Sequence, residues 1–336
     1  MAIAFRTSKS TKASVIALMV IALGASTTAI AAASPSAHRS GVRGTTTGAN
    51  TSRGAGRAEF AATPAHQYAS GALRTVQRIV LHGGYTTADA GMRNLGHGTM
   101  KIKGVPAGAK VKSAILVWDI LGKHLGAAFP HGKFDGHAIT GKTWAHGKDP
   151  CWGVTRNFSF EANVTSLVSG NGSYHLTGFA SGKTNGADPW LTSPQVPPLL
   201  EGATLVVVYQ KSSMPKTVIQ LAEGASESQL SHTLHAKLFG FRANSHHPAK
   251  TSYIVADGQV KGNKGGFDGR ILPHVGFSGK APQAVHRYSR GNLWDTVTVN
   301  ISSLVRPGAT SATASVDAPR SFRDCIVWVG QVLSVP

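Results

Sequence analysis

The sequence predicts an all-β fold: a jelly-roll-like β-sandwich, either one large sandwich or two tightly joined halves, behind a disordered N-terminal arm. Three observations carry this expectation. Short runs rich in Val, Ile and Thr recur along the chain, and 39 glycines and 16 prolines punctuate them at short intervals. No segment beyond residue 33 keeps a helical apolar period over three turns. Many short strands with Gly/Pro turns are the mark of a sandwich.

The N-terminal segments read differently from the rest. Arg6, Lys9 and Lys12 precede the apolar run ASVIALMVIALGA (13–25), and the small-x-small sites Ala29-Ile30-Ala31 and Ala31-Ala32-Ala33 follow. This is the layout of a secretory signal peptide over 1–33. The apolar run falls short of the about 20 residues that span a bilayer, so the expectation is no membrane span after cleavage; an uncleaved anchor over 13–33 stays open. Residues 34–57 hold four arginines, no acid and almost no large apolar side chain. Such a stretch cannot bury enough surface to offset chain entropy and reads as a disordered basic arm. Residues 58–336 are then the secreted β-sandwich domain.

Within that domain the strands follow in order. RTVQRIVLHG and GTMKIKGV are weak strands. KVKSAILVWDIL (110–121) alternates at first and then becomes continuously apolar, as a strand entering a two-sided core does. ATLVVVYQK (203–211), TVIQLA (217–222), TLHAKLFGF (233–241) and TSYIVADG (251–258) come next. TVTVNISSLV (296–305), TSATASV (310–316) and DCIVWVGQVL (324–333) close the series.

One pattern occurs twice. NVTSLVSGNGSYHL (163–176) and NISSLVRPGATSATASV (300–316) share Asn, an aliphatic residue, Thr or Ser, and Ser-Leu-Val before a glycine turn. What repeats is the apolar spacing and the turn; no acid or histidine repeats with it. Thr165 and Ser166 suit local bonds to the backbone, and Gly170-Asn171-Gly172 suits a tight turn. The repeat therefore predicts two like corners between strands rather than two active-site loops.

GVPAGAKVKSAILVW followed by NVTSLVSGNGSYHL resembles the first strands of many extracellular carbohydrate-binding-type jelly rolls. More closely, an ordered motif set resembles a secreted domain family of unknown function found in actinobacterial exported proteins and archaeal surface proteins. The set is VPAGAKVKSAILVW, SLVSGNGSY, GATLVVVYQ, IVADGQV, NLWDTVTVNISSLVRPGATSATASV and DCIVWVGQVLSV, from about residue 98 to the C terminus. The resemblance implies an extracellular all-β module and supplies no catalytic residues. The His- and Lys-rich insert GKHLGAAFPHGKFDGHAITGKTWAHGKDP lies outside these motifs.

The formal net charge is +19 with only 15 acids; three positive charges fall in 1–33 and four in 34–57, leaving +12 for the remainder. A surface of this kind attracts polyanions such as wall phosphates, acidic polysaccharides or anionic lipid. Nucleic acid is not the expected partner of an exported chain, and no nucleic-acid-binding signature is present. Cys151 and Cys325 in an exported chain predict one disulfide between the loop after Trp144 and the final strand.

Metal and cofactor signals are weak. His124, His131, His137 and His146 lie in a loop-rich stretch without paired zinc spacing, and His232 and His235 would point to opposite faces of a strand. No HExxH, GxSxG or P-loop occurs, and neither a metal nor a cofactor is expected. Hydrolysis of a glycoside needs two facing carboxylates. Asp135, Asp149, Asp188, Asp257, Asp268 and Asp295 are the available acids, and nothing pairs them in sequence. Trp118, Trp294 and Trp328 sit in apolar runs and read as core. Trp144, Trp152 and Trp190 sit beside loop signals with Asp149 and Asp188 close by, an arrangement that holds a sugar ring or plugs the end of a sandwich. The ligand-binding candidates are thus Trp144, Asp149, Trp152, Asp188 and Trp190, with no catalytic residue assigned. The functional expectation is an exported, non-catalytic surface or envelope protein binding an anionic glycan or cell-wall polymer. A self-assembling surface protein and a secreted hydrolase are the alternatives.

Overall fold

A computed structural model describes residues 72–336 apart from 150, 190, 230–231, 245–246, 259–262, 278–292 and 318–323. The signal-peptide and arm expectations for 1–57, and Trp190, lie outside the described residues. The first half of the fold comprises β1 (Arg74–Gly91), β2 (Gly98–Ile102), β3 (Lys110–Gly122), β4 (His131–Phe134), β5 (His137–Thr140), β6 (Lys142–Lys148), β7 (Arg156–Asn163), β8 (Gly172–Thr177) and β9 (Leu199–Gln210). The second comprises β10 (Lys216–Gln229), β11 (Thr233–Phe239), β12 (Lys250–Ala256), β13 (Lys264–Phe267), β14 (Arg270–Ile271), β15 (Trp294–Asn300), β16 (Ser311–Asp317) and β17 (Cys325–Val335). Among the described residues the one helical segment is a 3-10 turn, Thr165–Leu167, and no helix is long and apolar enough to cross a membrane.

Apart from β6, the strands of the first half recur in the second in the same order. A nine-stranded sheet runs β15-β12-β17-β10-β1-β9-β3-β7-β6, and two four-stranded sheets run β2-β8-β4-β5 and β11-β16-β13-β14. The order β1-β9-β3-β7 in the first half is thus matched by β10-β17-β12-β15 in the second, and the small sheets match position for position. Each half is a sandwich of one small sheet on half of the large one, so the all-β sandwich expectation holds, and of the two arrangements left open the fold takes the two joined halves. β6 has no counterpart among the described residues of the second half.

β1 joins the halves. Its first part, through His82, pairs with β10, and from Gly83 onward it pairs with β9. Only glycine fits at the change of partner, because a Cβ on Gly83 would stand 2.0 Å from the Tyr209 carbonyl oxygen. Beyond it the sheet turns back on itself and its two halves face each other. Three buried apolar layers result. Met100, Leu116, Trp118, Phe134, Phe160 and Leu205 fill the first sandwich. Leu238, Tyr253, Phe267, Phe277, Val316 and Trp328 fill the second. Ile79, Ile115, Val206, Leu221, Ile254 and Val327 fill the seam between them. β3, β9 and β17 are therefore covered on both faces, which is why their sequences run apolar without alternation.

The repeated corners occupy equivalent positions, β7 to β8 and β15 to β16, and use the same bonds. Val164 N–H donates to the Ala114 carbonyl and Ile301 N–H to the Ala249 carbonyl, both at 2.9 Å. Ala114 N–H donates to Thr165 Oγ1 and Ala249 N–H to Ser302 Oγ, both at 2.9 Å. Asn163 Oδ1 accepts from Thr165 N–H at 3.0 Å, and Asn300 Oδ1 from Ser302 N–H at 2.8 Å. The strand expected over 296–305 accordingly stops at Asn300, where the corner begins.

Candidate functional site

At one end of the seam the apolar layer gives way to acids. Asp119 interrupts the apolar stretch of β3, Glu201 lies in β9, Glu223 in β10, and Asp257 follows β12; all four are fully buried, as is Arg93. β3 and β9 slip register at Asp119, and β10 slips against β17 just after Glu223, so local irregularities of the ladders coincide with the acidic end. Arg93 Nη1 donates to Glu201 Oε1 as a buried ion pair. Burial drives the Glu201 carboxyl well above its ordinary range, with the Arg93 charge pulling against it. Burial does the same to Asp119, reinforced by the charge of Asp257. Asp257 itself is pushed up to about 6 by burial, opposed first by Arg93 and then by a hydrogen bond from Trp152. Glu223 rises through burial and through the charge of Glu161 on β7. The arrangement gathers four carboxyls from both sandwiches at one end of the seam, with Glu201 and Asp257 beside the Arg93 guanidinium.

The sequence-derived candidates Trp144, Asp149 and Trp152 come together here. A bulge in β6 between Thr143 and Ala145 re-aims Trp144. Its indole N–H crosses the seam to the Glu223 carbonyl at 3.0 Å. Asp149 is buried and its carboxylate accepts from the backbone N–H groups of Cys151, Trp152 and Val154, which fixes the 149–155 loop. Trp152 donates its indole N–H to Asp257 Oδ1 at 2.7 Å. Its ring lies 4.2 Å from Arg93 Cζ. Cys151 is disulfide-bonded to Cys325, which opens β17, with 6.0 Å between the Cα atoms, as the sequence led us to expect. Asp188 lies in the 178–198 loop, whose Gly186 and Ala187 bond to Asn94 beside Arg93.

The other acids fall elsewhere. Asp135 and Asp268 begin the β4–β5 and β13–β14 turns with φ of 47° each, and Asp295 is buried on β15. Sequence reasoning missed Arg93, Asp119, Glu201 and Glu223. The available signal was an isolated acid inside an apolar run, as in VWDIL and LLEGATLVVV, in a chain with few acids.

A second feature lies on the opposite face of β6 and β7. Lys123, His124 and Leu125 after β3, Thr143 and His146 on β6, and Arg156 and Phe158 on β7 line an open groove of about 310 Å³. His146 pairs with Phe158 and Lys148 with Arg156 across the two strands. The groove's rim is exposed, whereas Phe158 on its floor is buried. The stretch holding His131, His137 and His146, expected to be loop-rich, instead carries β4, β5 and β6. Among the described residues no group of three or more His, Cys, Asp or Glu could hold a metal ion.

No protein-family profile matches the chain, and no curated protein matches it. Among solved structures it has a slight likeness to BpGH86A, a β-porphyranase of glycoside hydrolase family 86 from the human gut bacterium Bacteroides plebeius. The identity is 11% and the TM-score 0.22, over 80% of this chain and 37% of that one. At that score the likeness carries no argument. The resemblance to a secreted domain family accordingly rests on the quoted motifs alone.

Proposed function

We propose that this is an exported, non-catalytic surface or envelope protein that holds an anionic polymer against a cationic exterior. The observation that carries the reading is the way the fold sorts its charges. Of the 15 acids in the chain, eight are buried: Asp89, Asp119, Asp149, Glu201, Glu223, Asp257, Asp295 and Asp324. Arg93 is the one buried Lys or Arg among the described residues. The outer surface is therefore more positive than the formal charge implies, and Asp268 is the one acid fully in the open among the described residues. The four acids gathered at the end of the seam, Asp119, Glu201, Glu223 and Asp257, are fully buried and leave the outer face to the cations.

The test is binding of the secreted chain to polygalacturonate and to neutral dextran at two salt concentrations. The screening length falls from about 10 Å at 0.1 M to about 3 Å at 1 M. Polygalacturonate should bind at low salt and be released at high salt, and dextran should not bind. Absence of polygalacturonate binding at low salt, or binding indifferent to salt, would overturn the reading.

A further inference from the structure

We infer that the groove between the 123–125 loop and β6–β7 is a seat for one acidic sugar residue, its ring against Phe158 and its anionic group toward Arg156 and Lys123. The inference rests on the proposed function and gives it a place. Both sandwiches share one frame, and the groove is built on the strand of the first sandwich, β6, that has no counterpart among the described residues of the second half. Its bulge sends Trp144 into the seam and leaves Thr143 and His146 on the groove side, so one short strand both seals the joint and builds the groove wall.

The lining chemistry selects an anion. Lys123, Arg156, His124 and His146 surround the groove, Thr143 adds a hydroxyl, and no acid lines it. The nearest acid on β7, Glu161, has a sequence position of opposite parity to Phe158 and Arg156, and its charge acts on Glu223 in the seam. Arg156 Nη1–H donates to His146 Nδ1 at 3.4 Å, which holds the guanidinium beside the imidazole on one side of the groove. The floor selects a ring. Phe158 is held by Phe129, with ring centroids 6.0 Å apart, and lies under His146 at 6.3 Å. An aromatic floor below cationic rims matches a sugar whose ring face is apolar and whose edge carries a carboxylate, sulfate or phosphate. A volume of about 310 Å³ is at the small end of ligand pockets, enough for one such residue of a chain but too small for a nucleic-acid duplex.

The experiment titrates the secreted chain with tetragalacturonate, its methyl ester and inorganic sulfate, following histidine side-chain NMR signals, with affinities from calorimetry. Tetragalacturonate should shift the His124 and His146 signals; the methyl ester should not. The pair Lys123→Gln with Arg156→Gln should weaken tetragalacturonate about tenfold or more at unchanged melting temperature, whereas Lys237→Gln with Arg242→Gln on the second sandwich should change it about twofold or less. Phe158→Leu, provided its melting transition stays cooperative, should weaken the tetramer and leave sulfate unaffected. Equal losses from both charge pairs would overturn the groove and leave the cationic-surface reading intact, as would a wild type that binds polygalacturonate but not the tetramer. Sulfate binding as tightly as the tetramer would reduce the groove to a bare anion site and overturn the sugar. A wild type that binds neither polygalacturonate nor the tetramer would overturn the groove and the proposed function together.

Discussion

Trp152 works on both sides of the seam. It belongs to the first sandwich by sequence, yet its indole N–H is bound to Asp257 of the second and its ring faces Arg93. Trp152→Phe would keep the ring near Arg93 and remove the donor from a buried carboxyl. Hydrogen bonds to charged groups contribute about 1.5–3 kcal/mol, so urea unfolding should show a loss in that range. A loss of a few tenths would mean that Asp257 finds another donor and that the indole is mere filler. The sequence marked Trp144, Asp149 and Trp152 together, because tryptophans beside turn signals and an acid stand out. It did not show what they touch: Glu223 and Asp257 lie 79 and 105 positions from their tryptophans. Nothing local in a sequence reports a contact of that span.

At the scale of elements, the repeated corner was readable because its signal is local: the Asn, the Ser/Thr hydroxyl and the apolar spacing all act within a few residues. A second repeat was equally local and was passed over. Phe-Asp-Gly occurs at 134–136 and 267–269, and builds equivalent hairpin turns. Asp135 Oδ1 accepts from His175 N–H at 2.6 Å, and Asp268 Oδ1 from Thr313 N–H at 2.7 Å. Gly136 and Gly269 hold φ of 80° and 76° with open space where a Cβ would be. Gly136→Ala and Gly269→Ala should therefore each cost about 1–2 kcal/mol, the left-handed penalty alone, and by similar amounts. Thermal unfolding of the two variants checks this; a cost confined to one would show that the two hairpins are not equivalent supports. β4, β5 and β6 were hard to see in sequence because they are short, polar and rich in His and Gly, so no alternation of apolar residues marks them.

At the scale of the molecule, the two sandwiches are held by an apolar seam whose acidic end is closed by the 149–155 loop and its disulfide. The bridge spans 174 positions. Cys151→Ser with Cys325→Ser should cost about 2–5 kcal/mol in urea unfolding; an unchanged midpoint would mean that the loop is held by its hydrogen bonds alone. The continuously apolar run over 110–121 announced a two-sided core, while one large sandwich and two joined halves both stayed open from the sequence. The acidic end was not legible, because its members come from β3, β9, β10 and the turn after β12. Its consequence is an unusual dependence on pH. Burial raises Asp257 to about 6 and Asp89 to about 7, and holds Asp119, Glu201 and Glu223 high as well. Arg93 opposes the shift at Asp257 and Glu201, and Lys142 opposes it at Glu223. Between the ordinary carboxylate values and these raised ones, the folded chain keeps protons that the unfolded chain has released. Stability from Asp257 and Asp89 is thus full below about pH 4 and is lost as pH rises toward about 6 and about 7 respectively, by up to about 1.4 kcal/mol per pH unit for each proton. Asp89→Asn and Asp257→Asn can keep their bonds to Thr296 N–H and Trp152 Nε1–H through the amide oxygen, yet carry no charge at any pH. In urea unfolding at pH 5, 6 and 7, wild type should lose stability relative to each variant as pH rises, contributions common to all three proteins cancelling in the comparison. Parallel pH profiles for wild type and both variants would show that these carboxyls do not take up protons on folding.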